Sequence, residues 1–429
     1  VFRTKLGNIP RLAHAKKREV RDFLAGSETT SETTSETSMK TPAIRPPDQR
    51  RATRLASYLF ATPDRQSSST TASRPLIGVL EGTGIGPQVV DAALLVLQSV
   101  EQVLDLKFEV RFGGLIGEAA IKEHGQWLPE DTATFCADIF QHRGAILNGP
   151  GGGRYVYDLR RRFDLFCKFV PVRPDPALAH AGKIAPQFLQ NVDLLIIRDN
   201  TGGVYQGQWG DRATENGRMA EHSFCYGERE VQRLVEVAVR AAAHRRGNLH
   251  VILKDGGVPT ISALWRDIGQ AAAKRHGLEA QFMNVDLAAY ELIQNPARFD
   301  VLVAPNLFGD IIADICGVLV SSRGVTFSGN FDPQGHGVYQ TNHGCAHDLA
   351  GADVANPGGQ ILSLAMLLRE SFGLETAAAR IETSLATVWR AGWRTADIAE
   401  PGCRILGTKA MAEKVAEHIL RPAEAAFPA

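Results

Sequence analysis

From Leu76 onward, short apolar runs alternate with stretches whose apolar residues recur at helical spacing, and this alternation confines the chain to an α/β architecture. LIGVL ends in the turn GTGIGP, and apolar residues then fall at helical intervals over residues 89–103, so a strand, a turn and a helix are expected in that order. DLLIIRD, LHVILKD and FDVLVAP read as further buried strands, and residues 230–244 and 311–319 as helices. Strands this uniformly apolar need helices over both faces of their sheet.

At 429 residues the chain is long enough for two domains. Residues 1–74 differ in kind: the repeat SETTSETTSETS, the segment RPPDQRRATR and the polar SSSTTASR bury too little apolar surface to offset the entropy of ordering, so a disordered leader is expected. The initial Val fits an alternative start or a fragment, with Met39 as a candidate start, and the Arg and Ser after Met39 also fit a transit peptide. Lys plus Arg equal Asp plus Glu at 47 each, which offers no global field for nucleic acid or a membrane surface. Six cysteines without a CxxC pair argue for a reducing compartment, cytoplasmic, or mitochondrial if the leader is a transit peptide.

Three constellations carry chemistry. Asp310 and Asp314 follow the strand FDVLVAP, and on a helix beginning at Asp310 they share one face a turn apart, where two carboxylates suit Mg²⁺ or Mn²⁺. The same spacing fits an N-capping Asp310 with a solvated Asp314, although Ile311, Ile312, Ile315 and Val318 read as buried around it. Lys254 leaves the strand LHVILK toward a glycine turn, where desolvation can make a lysine a proton acceptor; Tyr226, ahead of a helix, can donate a proton. From sequence alone a surface lysine and a packed tyrosine are the more ordinary readings of those positions. Arg160, Arg161 and Arg162 in YDLRRRFDLF and Arg198 in IIRDNTGG suit the carboxylates of a substrate, with one of the three consecutive arginines turned inward. GTGIGP alone lacks the dinucleotide fingerprint, and HGCAHDLAG followed by VANPGG can be simply a turn before a helix.

In order along residues 76–420, GTGIGP, LRRRFDLF, RDNTGGVYQG, the Tyr226 segment, the Lys254 strand, NVDLAAY, NLFGDIIADICGVL and HGCAHDLAG with ANPGG resemble the β-decarboxylating dehydrogenases of the isocitrate/isopropylmalate dehydrogenase family. The resemblance implies a two-domain α/β fold, with a large twisted mixed sheet flanked by helices and a dinucleotide site that is not of the Rossmann type. It implies a nucleotide-binding domain of residues 75–165 plus 321–429 and a dimerisation and metal/substrate domain of residues 166–320. Asp310 and Asp314 would bind Mg²⁺ or Mn²⁺ from one subunit and Asp286 from the other in a homodimer with shared active sites. Lys254, also contributed across the dimer, would accept the substrate's hydroxyl proton, Tyr226 would return one, and Arg160 and Arg198 would hold a hydroxy di- or tricarboxylate. His343, Gly344, Asp348, Leu349 and Asn356 would contact the cofactor; a carboxylate at Asp348 meets an adenosine ribose and repels a 2′-phosphate, which favours NAD.

Departures concentrate where the substrate's carboxylates bind. Val170 stands where the family usually has a second arginine, with Arg173 as a possible substitute; Gly256, Gln340 and Thr83 replace a usual asparagine, glutamate and aspartate. Arg154, Tyr155 and Val156, at positions that usually read the substrate's γ-substituent, match neither the isocitrate nor the isopropylmalate pattern. The expected activity is NAD- and metal-dependent oxidative decarboxylation of a 3-substituted malate. Alternatives are tartrate- or D-malate-type oxidation without obligatory loss of CO₂ and a non-catalytic regulatory subunit.

Overall fold

The computed structural model describes residues 54–60 and 74–421. The expected strand, turn and helix are β1 (Leu76–Leu80) and α1 (Gly86–Leu104), followed by β2 (Glu109–Phe112), α2 (Gly117–His124), α3 (Glu130–Gln141), β3 (Ala145–Asn148) and α4 (Tyr155–Arg162). Two strands, β4 (Cys167–Val172) and β5 (Leu194–Asp199), lead to a hairpin of β6 (Gln208–Thr214) and β7 (Gly217–Ser223). Next come α5 (Glu228–His244), β8 (Leu249–Leu253), α6 (Pro259–Arg275), β9 (Ala280–Asn284), α7 (Val285–Gln294), β10 (Val301–Ala304) and α8 (Asn306–Cys316). The chain returns through β11 (Phe327–Phe331), β12 (Gly337–Thr341), α9 (Gly358–Glu370), α10 (Glu375–Arg390) and α11 (Thr408–Leu420).

Ten strands form one mixed sheet in the order β2-β1-β3-β12-β11-β4-β5-β10-β8-β9. It is parallel except in its middle, where β11 is antiparallel to β12 and β4, and β4 to β5. Strands from residues 166–320 fill one half, and strands from before and after that segment fill the other.

The two faces are packed differently. Beneath one face a single core runs from Ile77 and Val79 through Phe169 and Ile197 to Val251, covered by α1, α5, α9, α10 and α11. Above the other face are two separate cores: Leu80, Ile146 and Val338 pack with α3 and α4, whereas Val170, Ile196 and Leu302 pack with α7 and α8. Between them the middle strands carry buried Asn148, Lys168, Arg198 and Asn330. The antiparallel register sets Lys168 opposite both Arg198 and Asn330, and the two-residue pleat puts it on the same face as Val170. No apolar filler closes this seam, so a cleft remains where the two cores part.

Two expectations need correction. Residues 55–59 fall within the segment expected to be disordered, yet Leu55–Leu59 is a 3₁₀ turn with Ala56 and Tyr58 buried. The physical reason is the apolar island LASYLF: Arg240 Nε donates to the Tyr58 carbonyl at 2.7 Å and the Ala56 N–H donates to Glu370 at 2.9 Å. Residues 1–53 and 61–73 lie outside the described residues. On α8, Ile312 and Cys316 face inward, but Ile311 is exposed because the helix turns only one stripe to its core, and Val318, past the helix end, is exposed as well. Leu287 and Tyr290 of α7 are exposed too, and the hairpin exposes nearly every residue. Among the described residues no helix is long and apolar enough to cross a membrane.

Candidate active site

The seam opens into a cavity of about 230 Å³. Helix α4 contributes Tyr155, Val156, Tyr157 and Arg160, the strands contribute Lys168, Arg198 and Gln340, and α8 contributes Asp310; loops 150–153 and 341–344 make the rim. Of the three consecutive arginines only Arg160 turns inward, because Tyr155, Leu159 and Arg160 form the buried side of α4. Arg162 instead pairs with Glu130 at the surface.

Arg198, 2 % exposed, is fixed from one side. Its Nε and Nη2 donate to Asn306 Oδ1 at 3.1 and 2.8 Å, and its Nη1 donates to Asp310. The stem lies against the first turn of α8 so closely that a Cβ at Gly309 would stand 2.7 Å from Arg198 Cγ. Tyr205 donates its hydroxyl to the other oxygen of Asp310 at 2.8 Å. Burial opposes ionisation of Asp310, but Arg198 and Lys168 hold its carboxyl below the usual range. Arg160 has no side-chain hydrogen bond among the described residues, and its buried Nε is unpartnered. Burial, then the charge of Arg198, pushes its pKa down to about 10.

Asp314 lies one turn beyond Asp310 on α8 and pairs with Arg323 at 3.0 Å. Burial raises its pKa; Arg323 opposes this and the charge of Asp310 adds to it. Two repelling carboxylates, both partly open to solvent, form an oxygen donor pair that fits a hard divalent cation. Asp286 is not gathered with them: among the described residues the group of three potential ligands within 4.8 Å is Glu118, Cys345 and His347. Asp286, at the first turn of α7, pairs instead with Lys254 at 2.8 Å, and neither residue lines the cavity. The Tyr226 hydroxyl accepts the Asn306 N–H at 2.9 Å, and its side chain hydrogen-bonds Asp199. Burial, reinforced by Asp199, raises the phenol's pKa. Tyr226 thus sits behind the first turn of α8, outside the cavity lining.

The cofactor candidates divide. His343 and Gly344 are on the cavity rim, with His343 Nε2 buried and unpartnered and burial lowering its pKa. Asp348 and Leu349 are exposed on the 3₁₀ turn His347–Leu349. Both ends of the Asn356 amide are engaged: Oδ1 accepts the Gly358 N–H at 2.8 Å, starting α9, and Nδ2 donates to Asp397 at 3.1 Å. The GTGIGP turn wedges between these loops. The Ile85 N–H donates to the Cys345 carbonyl at 2.8 Å, and Gly84, with φ +63°, would bring a Cβ within 2.1 Å of that oxygen. Glycine there serves loop packing, which a single motif could not reveal.

Several substituted positions have concrete surroundings. Arg173 is no substitute for an arginine at Val170: it lies past the end of β4, is exposed, and pairs with Asp193 at 2.9 Å. An offset of three residues also changes strand face. Arg154 turns away from the cavity to stack 4.4 Å over Trp209, leaving Tyr155 and Val156 to line it. Gln340 Oε1 accepts from Asn148 at 3.4 Å, and Thr83 donates to the Gly151 carbonyl at 3.2 Å. Lys168, Tyr205 and Asn306 were not among the sequence candidates. A lysine inside the apolar run LFCKFV was a usable signal for the first; Tyr205 and Asn306 depend on loop geometry that carries no spacing rule.

The profile of the isocitrate/isopropylmalate dehydrogenase family matches residues 76–415. A 3-isopropylmalate dehydrogenase of Priestia megaterium (strain DSM 319 / IMG 1521) is 37% identical over 353 residues, covering 79% of this chain and 94% of its own. That of Halalkalibacterium halodurans (strain ATCC BAA-125 / DSM 18197 / FERM 7344 / JCM 9153 / C-125) is 38% identical over 360 residues, covering 80% and 97%. Among solved structures, isocitrate dehydrogenase from Methylococcus capsulatus aligns with a TM-score of 0.71 at 29% identity, over 81% of this chain and 100% of that chain.

Proposed function

The chain belongs to the isocitrate/isopropylmalate dehydrogenase family, and from that membership we propose that it oxidises and decarboxylates a 3-substituted malate with NAD and Mg²⁺ or Mn²⁺. The observation that carries this reading is the cavity between the two upper cores, where buried Arg160 and Arg198 face the helix that bears Asp310 and Asp314. Guanidinium groups there bind and orient the substrate's carboxylates. Asp310 and Asp314, with Asp286 of the partner subunit, would hold the cation. When bound, the cation makes the substrate hydroxyl more acidic and stabilises the enolate left by loss of CO₂.

Lys254 of the partner subunit would accept the hydroxyl proton, and NAD, when bound, would supply the acceptor for the C2 hydride. The carboxylate β to the new ketone would then leave as CO₂, its bonding electrons forming the enolate; Tyr205, whose hydroxyl already meets Asp310 at 2.8 Å, is better placed to return a proton to carbon than Tyr226, which lies outside the cavity lining. His343 and Gly344 lie on the cavity rim and Asn356 ties their loop to α9, so Asp348 and Leu349 of the same loop would meet the adenosine. Residues 75–165 plus 321–429 form the nucleotide-binding domain and residues 166–320 the dimerisation domain. A homodimer is supported by the exposed Leu287, Tyr290, Ile311 and Val318 and by a two-stranded hairpin too open to be stable uncovered.

A second reading, oxidation of D-malate or tartrate, is favoured by the cavity lining, which among the described residues offers Val156 as its branched aliphatic side chain for a bulky substituent. The test is a panel of 3-isopropylmalate, isocitrate, homoisocitrate, tartrate and D-malate with NAD and Mn²⁺, following NADH and CO₂. Both products with a substituted malate support decarboxylation, and NADH without CO₂ supports the second reading. No NADH with any acid overturns both in favour of a non-catalytic subunit.

A further inference from the structure

Lys168 is a buried charge that nothing in the fold accounts for among the described residues. It projects from β4 into the cavity, is 4 % exposed, and makes no hydrogen bond or ion pair among the described residues. Burial, followed by the charges of Arg160 and Arg198, drives its pKa well below the usual lysine range. An ammonium group left in this state is costly, and the surroundings increase the cost. The cavity lining holds three cations, Arg160, Lys168 and Arg198, against one carboxylate, Asp310, which already pairs with Arg198. A protein that needed this position only for packing would do better with an apolar side chain, as at Val170, which sits two residues on and on the same face.

We propose that Lys168 is a ligand for the substrate's carboxylates, a specificity-determining residue supplying the cationic contact that Val170 cannot. This rests on the oxidative reading above. Opposite Arg198 in the β4–β5 register and on the cavity wall with Arg160, Lys168 completes a cationic recess for a dicarboxylate. Its ammonium is a point charge without a guanidinium's fixed fork, so it grips a carboxylate in more than one orientation. The recess therefore selects the charge of its substrate more strictly than the shape. Lys168 and Arg160, which make no ion pair among the described residues, find their counter-charges in the ligand.

The experiment compares the full-length protein with Lys168→Met and Lys168→Arg, using calorimetric binding of D-malate and of 3-isopropylmalate, alongside steady-state kinetics and the melting temperature of each ligand-free protein. Lys168→Met should bind the accepted acid about 10- to 100-fold more weakly, equivalent to about 1.4–2.8 kcal/mol, with an unchanged or higher melting temperature. KM should rise more than kcat falls, and Lys168→Arg should recover most of the affinity. If Lys168→Met fails to fold, Lys168→Gln carries the same comparison. Equal affinity in wild type and a folded neutral variant overturns the assignment of Lys168 while leaving the oxidation intact. A wild-type protein that binds neither acid and oxidises none of the panel overturns the functional reading itself, and this inference with it.

Discussion

Replacing Gly309 by alanine tests whether Arg198 must occupy its present place. The added Cβ would meet Arg198 Cγ at 2.7 Å, Cβ at 2.8 Å and Cδ at 3.3 Å, where ordinary contact begins at 3.4 Å. These atoms belong to the stem, and the guanidinium beyond them is tied to Asn306 and Asp310, so the side chain cannot simply swing aside. The stem must shift by about 0.7 Å, taken from the gap between 2.7 and 3.4 Å. Alanine favours a helix over glycine by about 1 kcal/mol, whereas overpacking costs about 1–3 kcal/mol, leaving a net loss of roughly 0–2 kcal/mol in stability. Catalysis is more sensitive: a displacement approaching 1 Å costs on the order of 100-fold. Steady-state kinetics on the acid identified by the panel, with thermal melting as control, should show kcat/KM falling roughly 10- to 100-fold in a protein that still folds. An unchanged kcat/KM with a raised melting temperature would refute the view that Arg198 is positioned by this contact.

Glu370 supplies a pH prediction. Burial raises its carboxyl from 4.5 to about 7; because the folded value lies above the unfolded one, its stabilising contribution is full at low pH and declines as pH rises through that window, by roughly 3 kcal/mol. Urea melts of Glu370→Gln should therefore vary less between about pH 5 and pH 7.5 than those of wild type, and parallel curves would contradict the linkage. Asp348→Lys with Leu349→Tyr should shift cofactor preference toward NADP in paired assays; an unaltered NAD to NADP ratio counts against the loop assignment. Trp209→Glu, placing a charge on the exposed hairpin, should weaken self-association in analytical ultracentrifugation and reduce turnover with it, and a fully active monomer would sink the shared-site reading.

The parts of this protein that a sequence discloses are those governed by local periodicity. LIGVL, DLLIIRD and FDVLVAP are strands because uniformly apolar runs have one stable place, inside a covered sheet, and Asp310 and Asp314 share a face because a helix repeats every 3.6 residues. Arg160 was distinguishable from Arg161 and Arg162 only as one of three, since which arginine turns inward depends on how α4 meets its core. Lys168 was hidden for a different reason: its meaning comes from cross-strand neighbours at 198 and 330, far away in sequence. Ile311 and Val318 read as core because hydropathy cannot separate an apolar side chain turned to the interior from one turned to solvent. LASYLF was lost in polar surroundings because a composition average over a long segment erases a short anchor.

The unequal packing of the sheet has a mechanical consequence. With one apolar keel under all the strands and a divided superstructure above, neither half can detach without stripping the keel, yet the upper blocks can tilt toward each other by a small added twist near the antiparallel middle. Such a chain should melt in one step while its cleft breathes freely, combining a rigid hull with an adjustable mouth.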